Sequence, residues 1–435
     1  MEKNYDAIVI GAGVGGLSTA TLLAKEGRKV LLLERTDRVG GRAMSIKGEE
    51  ISDKGLKWYK DLLATQYTYI AGSVPEEDAI VRNRMLDGYT LDIGYHAISA
   101  NGAGYMLDFE DLIGGIEGVN KHGAHWGSYY KGTIYRDVAG NYIDPNLRMM
   151  AKEEKIPYLD FYIDAYKLTD KEIDELEKVS FREWAEKKGI TRNEVIYNHL
   201  HTVGTLFSTI NNPDDISIGD IFRYFKHAFE PKLARGVLGW VGGFVENGTM
   251  EWSKAVAKKF QSLGGELMLN AKVSEIMVEK GVVTGVRAKS EDGGEVEFSA
   301  DIVVSNIPAQ QTFKIINKNL FPREWVDKIQ SMYGYGSYVP YIGLNRLPMP
   351  EEHAKLGIKN TCVLPRSEGF DWDVYICWNI QSVIDSSVAP AGKYLYTAYL
   401  PISEKESLDR SLVGKTGKTA PRLHGGDIPG FQGVH

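Results

Sequence analysis

The chain has 435 residues, 43% hydrophobic and 25% charged, which is typical of a soluble globular protein long enough for two domains. Its net charge of −7 argues against nucleic acid as a main partner. The two cysteines, Cys362 and Cys377, form neither a disulfide framework nor a metal-ligand pattern, and we expect no metal. Because no signal peptide or spanning apolar run is visible, we expect a cytoplasmic protein.

The first predicted element is an apolar strand that runs directly into a glycine-rich turn and a helix. Residues 6–10 are followed by Gly11, Ala12, Gly13, Val14, Gly15 and Gly16. Gly11 permits the tight turn, Gly13 lets the backbone approach a pyrophosphate, and Gly16 lets the helix pack closely against the strand. Free N–H groups at the helix start favour phosphate binding. In this context the pattern predicts a dinucleotide-binding unit.

The second predicted strand, residues 30–33, ends at an acidic residue and a second glycine pair. Glu34 lies 18 residues after Gly16, where an acid accepts hydrogen bonds from a ribose hydroxyl and disfavours the 2′-phosphate of NADP. Gly40 and Gly41 let the backbone approach the same ligand from another side, and Arg42 can bind a phosphate with two parallel N–H groups. A nicotinamide dinucleotide site does not need this second element.

The segment from Glu34-Arg35 to Val39-Gly40-Gly41-Arg42 resembles the flavin amine oxidase and phytoene desaturase superfamily, whose members bind FAD in this way. The resemblance implies FAD as the cofactor. It also implies that the backbone at Val273 contacts the adenine. The predicted cofactor-binding residues are Gly11, Ala12, Gly13, Val14, Gly15, Gly16, Glu34, Arg35, Gly41, Arg42 and Val273.

Residues 43–90 depart from the family pattern. Apolar residues at helical spacing predict an amphipathic helix, which could be a lid or a surface addition: Trp58, Tyr59, Leu62, Leu63, Tyr67 and Ile70. The following segment, Leu91 to His96, resembles the family's D-x-G-x-H motif. There Asp92 is expected to anchor backbone N–H groups in a turn. His96 either faces the flavin or substrate or is structural.

Residues 100–235 have the character of a substrate-side insertion. Ile218, Ile221, Phe222, Phe225 and Phe229 share one helical face. That face fits a substrate cavity, a peripheral membrane contact or, most often for such patterns, a protein core. His199 and His201 are too closely spaced for a zinc site, and we interpret them as structural.

Residues 240–306 again resemble the phytoene desaturase-like family. A helix over 249–263 precedes a short strand at 266–269, a β-meander over 271–298 and a buried strand at 300–306. Strands predicted at 338–344, 374–378 and 394–400 return to the substrate side. Aromatic residues there are either pocket walls or ordinary strand packing: Tyr375, Trp378, Tyr394, Tyr396 and Tyr399.

The predicted fold is α/β, with a Rossmann-like FAD-binding domain (parallel sheet plus β-meander) and an inserted α+β substrate domain. We assign 1–90 and 239–309 to the FAD-binding domain, and 91–238 and 310–410 to the substrate domain. Residues 411–435 form an atypical tail. The resemblance implies a further C-terminal glycine-rich segment and helix that complete the flavin site. Gly425-Gly426-Asp427 matches only its beginning, so we expect that wall to be incomplete.

The leading functional expectation is an FAD-dependent oxidoreductase that transfers hydride between flavin and an apolar unsaturated substrate of isoprenoid or carotenoid type. No residue stands out as a general acid or base, which is compatible with chemistry carried by the cofactor. One alternative is an amine oxidase or protoporphyrinogen oxidase-like enzyme. Another is a nucleotide-binding protein without catalysis. The sequence does not indicate the oligomeric state.

Overall fold

The computed structural model describes residues 3–409 apart from 95, 103, 131–132, 137–159, 162, 234–239, 290–292 and 361–376. Asp427, Tyr375 and Cys362 therefore lie outside the described residues. The side chain of Phe229 is also outside the description, although its backbone is helical. The predicted domain limits at residues 90, 238, 309 and 410 stay predictions.

The described strands are numbered in chain order. They are β1 (Lys3–Ile10), β2 (Val30–Leu33), β3 (Ser45–Lys47), β4 (Thr90–Asp92), β5 (Ile98–Gly102), β6 (Lys121–Gly123), β7 (His125–Tyr130), β8 (Thr133–Arg136), β9 (Trp240–Val245), β10 (Glu266–Met268), β11 (Lys272–Glu279), β12 (Val282–Lys289), β13 (Glu295–Ser305), β14 (Tyr335–Tyr338), β15 (Tyr341–Leu344), β16 (Leu356–Asn360), β17 (Cys377–Ile380) and β18 (Tyr394–Ser403).

The described α-helices follow the same convention. They are α1 (Val14–Lys25), α2 (Gly48–Thr65, kinked at Gly55), α3 (Glu77–Arg82), α4 (Tyr105–Leu112), α5 (Asp170–Leu176), α6 (Phe181–Lys187), α7 (Glu194–Ser208), α8 (Ile218–Leu233), α9 (Met250–Ser262), α10 (Ala309–Thr312), α11 (Arg323–Ser331), α12 (Glu351–Ala354), α13 (Gln381–Ile384) and α14 (Glu404–Leu408). Within the described ranges, no helix has the length and apolar character needed to cross a bilayer.

The main sheet has the strand order β10-β2-β1-β13-β12-β11. Strand β1 pairs in parallel with β2 and β13, β10 pairs in parallel with β2, and β11 to β13 form an antiparallel meander. This arrangement confirms the predicted Rossmann-like α/β fold. Residues 295–298 and 300–306, predicted as two strands, instead form the continuous β13 and the residue after it. Part of β13 is also more exposed than we predicted. Ile302 is 43% exposed and does not belong to the apolar clusters that flank the sheet.

Alternate residues of β1 face two different cores. Ala7 and Val9 pack with α1 and α9, whereas Ile8 and Ile10 pack with Val273 and other residues of the meander. A strand places successive side chains on opposite faces, so the run 7–10 is apolar throughout because both faces are covered. This burial fixes the end of β1, where the glycine turn begins.

Helices α5 to α8 share a separate apolar core. Ile218, Ile221, Phe222 and Phe225 of α8 are buried in that core together with Trp184 and residues of the neighbouring helices. The apolar face of α8 is therefore protein core over its described side chains. It is not a membrane-facing surface there, because the other helices already cover it.

A second large sheet contains β14, β18, β17, β16, β7 and β8 in that order, with β15 also paired to β18. Trp378 and Tyr396 are fully or almost fully buried in its core and stack at a ring-centroid distance of 5.8 Å. Their burial favours strand packing over the pocket-wall interpretation. The same packing places the neighbouring strand β15 beside the turn that follows β4.

The inserted segment after residue 43 forms α2 and α3. The predicted amphipathic helix is present as α2, whose Leu62 and Leu63 are buried and whose Trp58 and Tyr59 pack partly against the same core. Ile70, beyond the helix end, also packs partly against it. Tyr67, however, lies beyond the helix end and is 58% exposed, because its left-handed backbone (φ +57°) turns the chain away.

Candidate cofactor site

The glycine turn after β1 has the geometry that its sequence predicts. Gly11 has φ +94°, which glycine adopts without steric cost. A Cβ atom at Gly16 would lie 1.9 Å from the carbonyl oxygen of Gly11, so only glycine allows this approach of α1 to the strand. Gly13 is the residue before α1, and its carbonyl accepts the first helical hydrogen bond from Leu17 N at 2.9 Å.

The other residues of the turn differ in their exposure. Ala12 is buried in the core between the sheet and its helices, whereas Val14 and Gly15 are exposed at the start of α1. Because free N–H groups project from a helix start, this exposed edge can contact an anion through its backbone.

The second glycine pair lies directly against this turn. Gly40 N donates to Ala12 O at 2.9 Å, and Gly40 forms an isolated parallel bridge with Gly13. A Cβ atom at Gly41 would lie 3.1 Å from Gly13 Cα. Two glycine motifs that are separate in the sequence therefore form one wall made of bare backbone.

Arg42 stands on the short 3₁₀ turn Gly41–Ala43 next to that wall. It is exposed, and within the part of the chain that the structure describes its guanidinium has no carboxylate partner. Its five N–H donors are therefore available to an anion such as a phosphate.

Glu34 is buried at the end of β2 and braces the turn. Its Oε2 accepts from Ala12 N at 2.8 Å, and its Oε1 lies within 3.0 Å of both the backbone N and the hydroxyl of Thr36. A carboxylate has about four acceptor positions, so these three donors leave room for one ribose hydroxyl. Glu34 thus has a structural role in holding the turn, which the sequence did not reveal. That role leaves an acceptor position open for the predicted contact with the ribose.

Arg35 follows Glu34 directly in the chain, and β11 brings Val273 into the same region. The carbonyl of Glu34 accepts from Ala271 N at 2.8 Å, which sets the start of β11, and Val273 is buried two residues later. Arg35, in contrast, directs its guanidinium to the carbonyl of Thr65 and lies over the ring of Tyr67. Direct cofactor contacts of Arg35 and Val273 stay predictions.

Asn306 also lies at the glycine turn. Its backbone N donates to Ile10 O at 2.9 Å. Its side chain also lies against the glycine turn, with Nδ2 3.6 Å from the Cβ position of Gly13. The parallel pairing of β13 with β1 causes this placement, because carboxyl ends of neighbouring parallel strands meet at one sheet edge. That pairing was the available signal.

Asp92 anchors backbone N–H groups, as predicted, but it does so at a helix distant in sequence. Its carboxylate accepts from Thr249 N at 3.1 Å and from the hydroxyls of Thr249 and Ser45, while Ser45 Oγ accepts from Met250 N. These contacts cap α9. Burial acts to raise the pKa of Asp92, but His96, Ser45 and Thr249 together outweigh it and hold that pKa below its usual value.

His96 lies beside this carboxylate. Its Nδ1 is 3.8 Å from Asp92 Oδ2, which is beyond hydrogen-bond length but close enough for a charge interaction when the ring is protonated. The contact supports the structural interpretation of His96. Its role toward the flavin or substrate stays a prediction.

Tyr341 of β15 joins the second sheet to the turn after β4. Its hydroxyl donates to the carbonyl of Asp92 and accepts from Gly94 N at 2.9 Å. Burial raises the pKa of Tyr341, so the phenol stays protonated and remains a donor at neutral pH. The D-x-G-x-H turn is thus held from two sides, by α9 and by β15.

The Tyr341→Phe variant should be less stable than the wild type by about 2 kcal/mol in urea unfolding, because two backbone groups lose a buried partner. Tyr67→Phe, at an exposed tyrosine, should change the free energy of unfolding by less than about 0.5 kcal/mol. Equal stabilities of the Tyr341→Phe variant and the wild type would show that the hydroxyl does not fasten this turn.

The residues present fit an adenine dinucleotide. A side chain at Gly13 or Gly41 would fill the cradle between the two glycine turns, and a free helix start, Glu34 and Arg42 surround it. The fold and this site define a Rossmann-type protein that binds a dinucleotide. Residues 14–415 match the family of flavin-containing amine oxidoreductases, and the chain belongs to that family. It is an FAD-dependent oxidoreductase.

Comparisons with individual proteins agree with this family. The chain is 25% identical to the neurosporene-forming phytoene desaturase of Rhodobacter capsulatus, over 92% of this chain and 74% of that protein. It is 26% identical to the lycopene-forming phytoene desaturase of Pantoea ananas, over 93% and 78% respectively. The solved structure of an oxidoreductase from Methanosarcina mazei has the same fold, with a TM-score of 0.68 at 16% identity over 98% of this chain and 85% of that one.

Proposed function

We propose that the protein oxidises or reduces carbon–carbon bonds of an apolar, unsaturated substrate of isoprenoid type. The observation that carries this proposal is the similarity to two phytoene desaturases over more than nine tenths of the chain. In the oxidative direction the substrate would lose a hydride and a proton, and two electrons would pass to FAD. In the reductive direction the same groups would be added.

The described cofactor site supports a mechanism in which FAD carries out the redox chemistry and the protein binds FAD in position. Bound FAD supplies the two-electron chemistry. The chain's own groups hold it: the backbone of Gly13 and Gly41 leaves room for the pyrophosphate, α1 and Arg42 offer donors, and Glu34 keeps an acceptor for the ribose. Asp92 and Tyr341 fix the turn that carries His96.

Oxidation of an amine is the second candidate, because the family to which the chain belongs is described as flavin-containing amine oxidoreductases. Both candidates use the same dinucleotide site, so that site does not separate them. They differ in the substrate that reduces the flavin.

The test is anaerobic mixing of the FAD-loaded protein with one substrate at a time. Phytoene in detergent micelles is compared with a primary diamine, and the visible absorbance of oxidised flavin is followed together with the products. Bleaching by phytoene with a new conjugated double bond supports the isoprenoid proposal. Bleaching by the amine alone supports the second candidate. No change with phytoene, and no reduction of lycopene by the pre-reduced protein, would contradict the first.

A further inference from the structure

We propose that the arm, residues 313–333 between α10 and β14, is a docking surface for a lipid membrane that carries anionic headgroups. None of these residues belongs to the described cofactor site, so the inference goes beyond the proposed function. Binding to vesicles needs no substrate, and its failure is therefore distinct from a failure of the proposed redox reaction.

The arm has an inner side that packs on the protein. The carbonyl of Ile315 accepts from Ile276 N of β11 at 2.6 Å, and Val326 of α11 is buried. The far end of the arm returns to its beginning, because Gln310 Nε2 of α10 donates to the carbonyl of Met332 at 3.3 Å. These contacts fix the arm on the β-meander and leave its other side facing solvent.

The outer side of the arm presents large apolar side chains to solvent. Four of them are between 46% and 62% exposed: Leu320, Trp325, Met332 and Tyr333. Trp325, Ile329 and Met332 follow one another at helical spacing along α11 and its end. The Trp325 ring is held by Phe313 and Phe321, with centroid distances of 5.5 and 5.4 Å. Grouped apolar exposure of this kind marks an interaction surface, whereas single exposed residues do not.

Basic side chains border these apolar residues. Three exposed lysines of the arm form no ion pair with any described residue: Lys314, Lys318 and Lys328. Lys328 is three residues after Trp325 and four before Met332, so it lies on the same side of α11. Apolar side chains bordered by unpaired cations fit the interfacial layer of an anionic membrane, because the apolar groups insert while the lysines meet lipid phosphates.

The acidic residues of the arm do not cancel this positive charge. The arm contains two carboxylates, Glu324 and Asp327, and Asp327 pairs with Arg323 at 3.5 Å. The arm is thus locally basic in a chain whose net charge is −7. A second copy of the chain fits this surface less well than anionic lipid, because a twofold interface places the same lysines opposite one another.

The test is flotation of the FAD-loaded protein with vesicles at low salt. Vesicles of phosphatidylcholine alone are compared with vesicles in which about one third of the lipid is phosphatidylglycerol. The wild type should bind the anionic vesicles more tightly, and half a molar NaCl should release it. The triple variant Lys314→Gln, Lys318→Gln, Lys328→Gln should lower the partition coefficient about a hundredfold, because each lysine near an anionic surface contributes about fivefold. Trp325→Ser should lower it about tenfold.

Matched controls carry the same changes outside the arm. One is the triple lysine-to-glutamine variant at exposed lysines of α5, α9 and α14, which has the same net charge: Lys171, Lys258 and Lys405. The other is Leu112→Ser, at an exposed apolar residue of α4. Both should bind anionic vesicles within about twofold of the wild type. Melting temperatures of all variants check folding.

A second measurement locates the contact at the arm. The tryptophan emission that is lost in Trp325→Phe belongs to Trp325, and brominated lipid should quench that part of the emission in the vesicle-bound wild type. No binding of the wild type to anionic vesicles at low salt would overturn the proposal. Equal binding by the arm variants and the wild type, or unquenched Trp325 emission, would place the contact elsewhere and overturn it too. A dimer that forms without vesicles and that Trp325→Ser dissociates would assign the arm to a second copy instead.

Discussion

Replacing Gly13 with aspartate should abolish FAD binding while the apoprotein stays folded. Gly13 has φ −69° and ψ 176°, a conformation open to any residue, and a Cβ atom there would lie 3.6 Å from the nearest atom, Asn306 Nδ2. Aspartate is also a favourable residue before a helix. In the cradle, however, its carboxylate occupies and repels the pyrophosphate, so we expect the dissociation constant to rise at least about a thousandfold.

Replacing Gly16, in contrast, should destabilise the apoprotein itself. Gly16→Ala places a Cβ atom 1.9 Å from the carbonyl oxygen of Gly11, which is backbone and cannot rotate away. We expect the apoprotein to lose more than about 4 kcal/mol of stability or to fail to fold. Isothermal titration with FAD and thermal unfolding of both apoproteins separate the two roles. Stoichiometric flavin in purified Gly13→Asp protein would show that the pyrophosphate lies elsewhere.

Replacing Asp92 with asparagine should cost about 3 kcal/mol of folding free energy. The buried carboxylate accepts from Thr249 N and from the hydroxyls of Thr249 and Ser45. Asparagine has one acceptor oxygen, and its amide N–H groups then face donors. The cap of α9 and the anchor of the D-x-G-x-H turn weaken together, and each buried donor left unpaired costs about 1–3 kcal/mol.

The stability lost in the Asp92→Asn variant should become smaller as the pH falls. The folded-state pKa of Asp92 lies below its ordinary value near 3.8, so the carboxylate contributes its full stability above about pH 5. That contribution is lost as the pH falls through the depressed folded-state pKa, and the difference between wild type and Asp92→Asn should shrink below about pH 4.

Urea unfolding at several pH values measures this difference. The control is Asp61→Asn, at an exposed carboxylate paired with Lys57 on α2, which should cost less than about 1 kcal/mol. If the Asp92→Asn variant were as stable as the wild type at pH 7, the Asp92 carboxylate would not contribute to the cap of α9. A difference that grows as the pH falls would mean that its folded-state pKa is raised instead.

Some parts of this protein were predictable because they rest on local backbone requirements. Gly11 needs a positive φ and Gly16 has no room for a Cβ atom, so the sequence itself carries the turn and with it the dinucleotide class. The apolar alternation of β1 between two cores likewise indicates a parallel strand covered on both faces. These features depend on residues close together in the chain.

Other features of the structure depend on contacts between residues that are far apart in the sequence, and no local sequence pattern indicates such contacts. Asp92 caps a helix 157 residues later, and Asn306 reaches the glycine turn only because β13 pairs with β1. The apolar face of α8 had three open interpretations until the neighbouring helices covered it.

The sequence alone determined the glycine turn that begins at Gly11 and predicts a dinucleotide site from there to Arg42, because the steric need for glycine is local. Only the tertiary structure determined that Gly13 and Gly40 form one wall and that Gln66 of the inserted segment stands beside it. The physical reason is that hydrophobic burial and strand pairing choose which distant segments meet, and many arrangements of α2 would satisfy the same amphipathic pattern.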